Sequence, residues 1–542
     1  MLFRSFLTGT DTKTFAGYRA CKCLKGYHRT HRFEGCKLCK DGLNCENGSA
    51  TLKTGYWWKW RNETYKLFYK DFATSLINIT YSPGKSINSS ITNHSLNEFP
   101  HPFPMSHRCP REESCMGGED SSCATGYQGP LCAVCSRGYY KQLQTCQLCP
   151  TKKWMTIQLS IMAAVAAIVV AIIIWTGKRK SKRKEGRSSV DIILGRLKIV
   201  IGFYQVTYGV LDAFAYIKWP DSLALIGKYS EILQMSVFQV APVHCLLPNV
   251  KMNAFGSLFA ILAMNAAAIL LCALVYVVRK LFLRRSSLNE EQKEKKVAET
   301  KELIYRNLFF FLFVTYLGTC SKTAQVVPLA CHKLCLDEED GTCDAYLRAD
   351  YSINCNGQEY NRLVIVAYCA VFYIIFLPSA SLIVLWRQCK VPRGNPVQAE
   401  HEELEPQKQA TGIITGLRFL FESYNSRSWY WEFIEMIRKV VLTSALILVG
   451  GESRAYIGLA LIISGLYGML FAHIGPMADP LENRLMLSSL AVTFVNLGIG
   501  AVSRIPEERI PGSIDPYVDT IMFNILVFGA NSLVISLLVG NY

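Results

Sequence analysis

The sequence predicts an all-α polytopic membrane domain of about nine transmembrane helices, preceded by a small disulfide-rich extracellular region. Three observations support this fold class. The 542 residues are 50% apolar and carry a formal charge of +16, a combination that ordinary soluble domains do not show. The lysines and arginines stand beside long apolar runs and read as topology signals, which argues against nucleic acid as a partner. Cysteines and glycosylation motifs concentrate before the first of these runs.

Residues 1–150 form the predicted ectodomain. Twelve of the 21 cysteines and all five Asn-x-Ser/Thr motifs precede Trp154, which places this part in the secretory lumen. An oxidising lumen favours disulfides, although the close pairs at 36/39, 132/135 and 146/149 also have zinc-knuckle spacing. The disulfide candidates here are Cys21, Cys23, Cys36, Cys39, Cys45, Cys109, Cys115, Cys123, Cys132, Cys135, Cys146 and Cys149. The glycosylation candidates are Asn47, Asn62, Asn78, Asn88 and Asn93.

The first residues do not form a conventional signal peptide, because residues 1–15 lack an uninterrupted apolar core. Two explanations remain open. Either the first membrane span directs translocation of its own N-terminus, or this chain is the end of a longer one.

The membrane spans follow from apolar length and flanking charge. The first, 155–175, is followed at once by seven basic residues up to Arg187, so that end lies in the cytoplasm. Further spans are predicted near 192–216, 254–278, 303–326, 362–386, 433–450, 455–474, 484–503 and 517–539. Nine spans place the N-terminus outside the cell and the C-terminus in the cytoplasm. The predicted parts are a 1–150 ectodomain, a 151–430 membrane part with linker 387–430, and a 431–542 membrane part.

Segment 222–248 is apolar but interrupted by charges and a proline, and is predicted to stay outside. If it crossed, the basic 279–301 loop would move to the exterior, against the positive-inside tendency. The next extracellular loop carries many acids, which suit either a solvated surface or a funnel that concentrates cations or binds Ca²⁺. It also carries the remaining disulfide candidates, Cys331, Cys335, Cys343 and Cys355.

An amphipathic helix over 412–424, on the inner leaflet, leads into a charged stretch at the start of the sixth span. Trp429, Tyr430 and Trp431 suit the headgroup layer. Glu435 precedes two basic residues by three and four positions, the spacing at which opposite charges meet on one helix face. The stretch is either a cytoplasmic anchor or a gating linker. Its gating candidates are Glu432, Glu435, Arg438 and Lys439.

Polar side chains within or beside the spans are further pore or gating candidates. Asp212 is an acid within a span, close to its outer end. Ser489, Thr493 and Asn496 share one helix face and Asn524, Asn531 and Ser532 another, and such faces serve either helix packing or a water-lined path. Outside the last two spans, three acids are expected to attract cations: Glu507, Glu508 and Asp515.

Several motifs resemble one family. The run 126–140 with Cys146 to Pro150 resembles EGF-like and ephrin-receptor-like repeats. The membrane motifs are Lys198 to Gln205 with Trp219-Pro220, Tyr346 to Cys355, and Tyr424 with Trp431-Glu432 and Arg438-Lys439. Together they resemble a multispanning family in which EGF-like repeats precede a membrane domain similar to transient-receptor-potential (TRP) channels. The resemblance implies a cation channel. The chain departs from a standard TRP channel in its nine spans, its lack of ankyrin repeats and pore-loop signature, and its short C-terminal tail.

The leading interpretation is a TRP-like cation channel or membrane sensor in the plasma membrane, gated through its ectodomain or the bilayer. The alternatives are a non-conducting receptor or adhesion protein and a lipid transporter. No enzyme motif is found, so the chain is predicted not to be an enzyme and to have no catalytic, cofactor or metal residues. The expected partners are the lipid bilayer, cations, an extracellular ligand and further copies of the chain.

Overall fold

The computed structural model describes most of the chain, in two compact units. The described residues are 23–31, 35–77, 98–142, 145–157, 160, 164, 189–214, 217, 219–230, 245, 253–285, 289–336, 343–388, 412–449, 454–502, 528–529, 531–532 and 534. Unit 1 comprises Met1–Leu148 and Cys331–Asn361, and unit 2 comprises Cys149–Ala330 and Arg362–Tyr542.

Unit 1 is built mainly from short antiparallel strands, and it contains helix α1 (Glu63–Ile77). Strands β1 to β12 pair two by two, and β13, β14 and β15 form a three-stranded sheet. The strands are β1 Tyr27–His28, β2 Lys37–Leu38, β3 Leu43–Glu46, β4 Ser49–Leu52, β5 Tyr56–Trp57, β6 His107–Arg108, β7 Cys115–Gly117, β8 Ser122–Cys123, β9 Tyr127–Gln128, β10 Val134–Cys135, β11 Tyr139–Gln142, β12 Thr145–Leu148, β13 Cys331–Cys335, β14 Cys343–Leu347 and β15 Asp350–Asn354. Strands this short need cross-links or a side-chain core to stay together.

Disulfides supply those cross-links. Unit 1 contains the bridges Cys23–Cys36, Cys39–Cys45, Cys109–Cys115, Cys123–Cys132, Cys135–Cys146, Cys331–Cys355 and Cys335–Cys343. Unit 2 contains Cys149–Cys245. The predicted use of cysteine in disulfides is confirmed for every described candidate, while Cys21 lies outside the described residues. Each of the six cysteines in the three close pairs forms a disulfide with a cysteine outside its own pair. Because a zinc ligand must be a free thiolate, these six cysteines are not available to bind zinc.

An aromatic cluster forms the core of unit 1. Trp58, Tyr69 and Phe72 are each 1% exposed. The ring of Phe103 lies edge-on to Trp58 at 5.3 Å and to Tyr69 at 5.2 Å, centroid to centroid. The Tyr69 hydroxyl accepts a hydrogen bond from the Ala50 amide at 2.7 Å and donates one to its carbonyl at 2.9 Å. This contact ties α1 to the β3–β4 hairpin.

The acidic loop belongs to unit 1, whereas the sequence placed it with the first membrane part. Three side chains of the N-terminal segment hold its sheet. Lys59 pairs with Asp344 at 3.2 Å, Lys141 donates to the Ala349 carbonyl at 2.8 Å, and His107 Nε2 lies 2.7 Å from the Cys335 carbonyl. Sequence distance concealed these contacts, because the partners are about 200 to 290 positions apart.

The β13–β15 sheet should lose stability in acid because of His332. Its Nδ1 lies 3.0 Å from the Tyr351 hydroxyl. Burial, together with the nearby charges of Arg348 and His107, lowers the pKa of His332 from 6.5 to about 4. An unfolded histidine binds its proton near pH 6.5, so the stability is complete above that pH and is lost as pH falls towards 4.

We expect a loss of about 1–2 kcal/mol between pH 8 and pH 5, after discounting for the partial exposure of His332. Hydrogen exchange of the β13–β15 amides, corrected for intrinsic rates, measures it. His332→Gln should remove most of the pH dependence. Equal acid sensitivity in the wild type and this variant would rule the histidine out as the cause.

Unit 2 is helical. Its helices are α2 Ser189–Ala213, α3 Asp221–Ser230, α4 Ala254–Arg284, α5 Glu290–Ala324, α6 Gln358–Gln388 (which begins in unit 1), α7 Gly412–Phe421, α8 Trp431–Val440, α9 Leu446–Val449, α10 Arg454–Ile474 and α11 Pro480–Val502. A π-helix, Val441–Ala445, joins α8 to α9. Within the described part, five helices are long and apolar enough to cross a membrane: α4, α5, α6, α10 and α11.

Nine spans are therefore more than the structure shows. The predicted spans 155–175 and 517–539 fall mainly outside the described residues. Predicted spans 192–216 and 433–450 correspond to α2 and to α8–α9, which are not among these five helices. The latter is short and charged, because it contains the candidate site described below.

The helices differ in how much apolar surface they expose. On α4 and α6, Leu270, Phe282 and Phe372 are each about 70% exposed. Apolar surface of this extent suits contact with lipid better than contact with water. In contrast, α2 is buried among α8, α10 and α11, where Phe203 and Val206 contribute to two adjoining apolar clusters. Helix α2 is thus at the centre of unit 2.

Candidate functional site

The candidate site is a buried charge cluster, defined as Lys198 of α2 with Glu432, Glu435, Arg438 and Lys439 of α8. The chain reaches α8 through a turn held by backbone hydrogen bonds to the α10–α11 connection. Asn425 donates to the Pro476 carbonyl at 2.9 Å, and Ala478 donates to the Ser423 carbonyl at 3.0 Å. These bonds set where α8 begins, and so which of its side chains point into the bundle.

Glu435 and Arg438 form the centre of the cluster. The guanidinium donates two hydrogen bonds to the carboxylate, from Nε at 2.9 Å and from Nη2 at 2.6 Å. The Glu435 residue is 2% exposed and Arg438 is 6% exposed. Lys439 approaches the same carboxylate at 3.5 Å. The predicted pairing of Glu435 with both basic residues is confirmed, and the planar fork of arginine makes it the stronger partner.

Glu432 pairs with a different helix. Its Oε2 lies 2.8 Å from Lys198 Nζ and accepts a hydrogen bond from the Tyr424 hydroxyl at 2.8 Å. Lys198 also donates to the Phe419 carbonyl at 3.3 Å. One lysine of α2 therefore joins α7 to α8. The sequence did not assign Lys198 to the site, since a lysine 234 positions before Glu432 carries no local signal.

Aromatic side chains enclose the cluster on the α10 side. The Trp431 indole donates a hydrogen bond to the Tyr467 hydroxyl at 3.0 Å, and the Arg438 guanidinium lies 5.0 Å from the centre of the Tyr467 ring. Trp431 is 2% exposed. The expected headgroup position of Trp431 is therefore wrong, because its ring fills the bundle interior, whereas Tyr430 is 41% exposed.

Two glycines of α2 bring this helix into close contact with the end of α8 and with the π-helix. A Cβ at Gly202 would lie 2.8 Å from Lys439 Nζ, and a Cβ at Gly209 would overlap Cγ2 of Thr443. Gly202 and Gly209 are seven residues apart and lie on one face of α2. The residues they contact, Lys439 and Thr443, are four apart and likewise share one helix face. Thr443 lies in the π-helix that follows α8. Single π-helical turns within α-helices occur frequently at functional sites.

A cavity of about 60 Å³ lies between α2, α5, α7 and α8. Lys198, Glu432 and Lys439 supply its charged wall, with Gln205 beside them. Its apolar wall consists of Ile201, Phe310, Phe313, Val314, Leu317, Phe419 and Met436. The cavity thus places positive charge and aromatic surface side by side.

The helix predicted over residues 412–424 is partly confirmed by α7. It ends at Phe421, and its residues Leu417 and Leu420 are buried against Leu385 and Phe433. The ring of Phe419 packs against Phe310 and Phe313 of α5. Its described apolar residues therefore contact protein, where the sequence predicted the inner leaflet.

The other polar candidates are separate from the cluster. Asp212 accepts a hydrogen bond from Gln325 at 2.6 Å, which links the ends of α2 and α5. Ser489 and Thr493 donate to carbonyls of their own helix at 2.7 and 2.8 Å. Within the described chain no hydrogen-bond partner reaches the Asn496 side chain, which faces a small cavity lined by Thr207 and Trp219.

The remaining candidates divide into described and undescribed positions. Asn531 is buried and Ser532 is exposed, so these neighbours do not share one environment. Asn47 and Asn62 are exposed, as acceptors of glycans must be. The candidates outside the described residues are Asn78, Asn88, Asn93, Glu507, Glu508, Asp515 and Asn524.

A second buried polar group was not predicted. Asn265 of α4 accepts a hydrogen bond from Thr315 of α5 at 2.9 Å, and its amide lies 3.5 Å from the Thr319 hydroxyl. The available signal was the spacing of threonines at 315, 319 and 323 on one helix face. Inside a membrane such side chains hold helices together.

Comparison with known proteins finds one match, to a family model described as a domain of unknown function (DUF7630), over residues 106–151. No EGF-like or TRP family is matched. No curated protein and no solved structure matches the chain in these comparisons. The matched residues contain strands β6 to β12 and three complete disulfides, and they end before the helices of unit 2.

Proposed function

We propose that this chain is a plasma-membrane sensor that conducts cations, in which the charge cluster and the π-helix form the gate control. The observation that carries this proposal is the position of the cluster. Four charged side chains of α8, directly before the π-helix, lie together with Lys198 of α2 within the bundle. Gly202 of α2 is in close contact with Lys439 of the cluster, and Gly209 with Thr443 of the π-helix.

The energetics favour a switching role over a purely structural one. Each buried ion costs several kcal/mol of desolvation, and apolar residues of similar volume often stabilise a protein as well or better. In a π-helix each backbone hydrogen bond spans five residues, whereas in an α-helix it spans four. Conversion of Val441–Ala445 to α-helix would therefore rotate α8 relative to α9. The cluster would then exchange partners, which gives the gate two defined arrangements.

The disulfides support the proposed topology. Cys149 and Cys245 are bonded, so an even number of spans must separate them, as the predicted spans 155–175 and 192–216 provide. The segment Cys331–Asn361 belongs to the same unit as the N-terminal region, which requires another even number before it, supplied by α4 and α5. This parity agrees with an extracellular N-terminus and a cytoplasmic C-terminus.

The proposed partners follow from the same plan. The exposed faces of α4 and α6 contact the bilayer, and a conducting pore forms between copies of the chain. An extracellular ligand binds the disulfide-rich unit 1. The proposal assigns the chain no catalytic step, cofactor or metal.

Current recording of purified protein in a planar bilayer tests the proposal, alongside its oligomeric state. Under stretch, heat, voltage or Ca²⁺ we expect cation currents. Gly209→Ala should change the open probability roughly tenfold while leaving unitary conductance unchanged, since overpacking costs about 1–3 kcal/mol in the state with the closer contact.

The matched control is Gly458→Ala in α10. Nothing lies within 4 Å of a Cβ at that position, so gating should stay as in the wild type. If correctly oligomerised protein passes no current under any of the four stimuli, the channel is excluded. The proposal would then become a non-conducting receptor that binds its ligand through the disulfide-linked unit 1.

A further inference from the structure

We infer that the cavity between α2, α5, α7 and α8 binds the phosphate group of an anionic amphiphile, whose apolar part lies against the phenylalanines of the cavity wall. This ligand site goes beyond the proposed function and does not depend on conduction. It rests on the charge, the shape and the composition of the cavity.

The charge cluster carries a net positive charge. Lys198, Arg438 and Lys439 face only two carboxylates, Glu432 and Glu435. Arg438 already occupies both oxygens of Glu435, at 2.9 and 2.6 Å. One cation of the cluster therefore lacks a carboxylate of its own among the described residues.

Lys439 is that cation. Its ammonium carries three donors, and its ion pair with Glu435 spans 3.5 Å, longer than the 2.7–2.9 Å of a charge-assisted hydrogen bond. The side chain is 16% exposed and lines the cavity, with Gly202 leaving room for the ammonium group. An anion entering the cavity would meet Lys439 first, and beside it Lys198, whose ammonium pairs at 2.8 Å with Glu432 in the same wall.

The chemistry of this opening favours a phosphate ester. Lysine binds phosphate as a compact point charge, and two ammonium groups lining one cavity suit a group with several oxygen acceptors. A volume of about 60 Å³ exceeds the roughly 10–15 Å³ that one water requires, so it admits a headgroup but no acyl chain. The chain would have to lie along the apolar wall.

That wall is built for an apolar neighbour. Phe310 and Phe313 of α5 meet Phe419 of α7 edge to face, with centroids 5.8 and 5.5 Å apart. The rings border the same cavity as the lysines. Positive charge at one side and aromatic surface at the other distinguish an amphiphile from a free phosphate ion.

Binding measurements on the full-length protein in a neutral detergent test the inference, with three probes. Dioctanoyl phosphatidic acid carries both phosphate and tails, dioctanoyl phosphatidylcholine carries a phosphate without net charge, and glycerol 3-phosphate carries no tails. We expect phosphatidic acid to raise the thermal midpoint in a saturable manner, and the other two probes to bind at least tenfold more weakly.

Lys439→Gln should weaken phosphatidic acid binding about tenfold. The variant should fold, because Glu435 keeps its bidentate bond to Arg438, and its midpoint without ligand checks this. Arg284→Gln, an exposed basic residue at the end of α4, is the control for non-specific charge and should bind as the wild type does. Phe313→Leu should weaken binding of phosphatidic acid and leave that of glycerol 3-phosphate unchanged.

Two results would overturn the inference. Equal binding of phosphatidic acid to Lys439→Gln and to the wild type would place the site elsewhere, and equal binding of glycerol 3-phosphate would exclude the apolar part. Because every measurement is made without current, failure here leaves the channel proposal standing, and absence of conduction leaves the site standing.

Discussion

Replacing Glu435 with alanine should destabilise unit 2 by about 3–5 kcal/mol, the cost of leaving a buried cation without its partner. In the wild type the Arg438 side chain is 5% exposed, and its guanidinium donates hydrogen bonds to both carboxylate oxygens of Glu435. The variant would hold Arg438 in the same enclosed position with one counter-charge fewer. The thermal midpoint and the monodisperse yield in detergent measure the effect.

Two variants separate burial from charge. Glu290 and Lys293 have the same i,i+3 spacing, but Glu290 is 92% exposed, so Lys293→Gln should cost less than about 1 kcal/mol. The double variant Glu435→Gln with Arg438→Met removes both charges and should recover most of the loss. If Glu435→Ala were as mild as Lys293→Gln, the cluster would be solvated in the native protein.

Reduction of the disulfides should unfold unit 1, with losses that depend on the loop each bridge closes. In the chain-entropy description, a bridge closing 24 residues contributes about 3 kcal/mol and one closing 6 residues about 2 kcal/mol. Replacing both cysteines of Cys331–Cys355 by serine should therefore cost more than replacing those of Cys39–Cys45. Limited proteolysis with and without reductant measures both.

Thiol labelling provides the independent check. In native, unreduced protein the disulfide-bonded cysteines of unit 1 should resist labelling, and after reduction in denaturant they should react. Quantitative labelling of Cys132, Cys135 and Cys146 before reduction would contradict the bonded arrangement. Preserved resistance to protease after full reduction would show that the aromatic core suffices without bridges.

The sequence alone determined what depends on local pattern. Apolar length predicted helices that the structure places at α4, α5, α6, α10 and α11. The clustering of cysteines beside glycosylation motifs predicted disulfides, and every described candidate has one. The spacing of Glu435 to Arg438 and Lys439 predicted their pairing. Each of these features arises within a turn or a run of neighbouring residues, where periodicity and spacing carry the information.

Only the tertiary structure decided which distant groups meet. It bonded Cys149 to Cys245, joined Lys198 to Glu432, and buried Trp431, which the local pattern had placed in the headgroup layer. The sequence predicted disulfides for the close cysteine pairs but not which cysteine each would bond. The physical reason is that a charge or a thiol marks a residue as reactive without specifying its partner. That choice depends on helix packing, here on Gly202 and Gly209, whose missing side chains let α2 approach α8 and the π-helix.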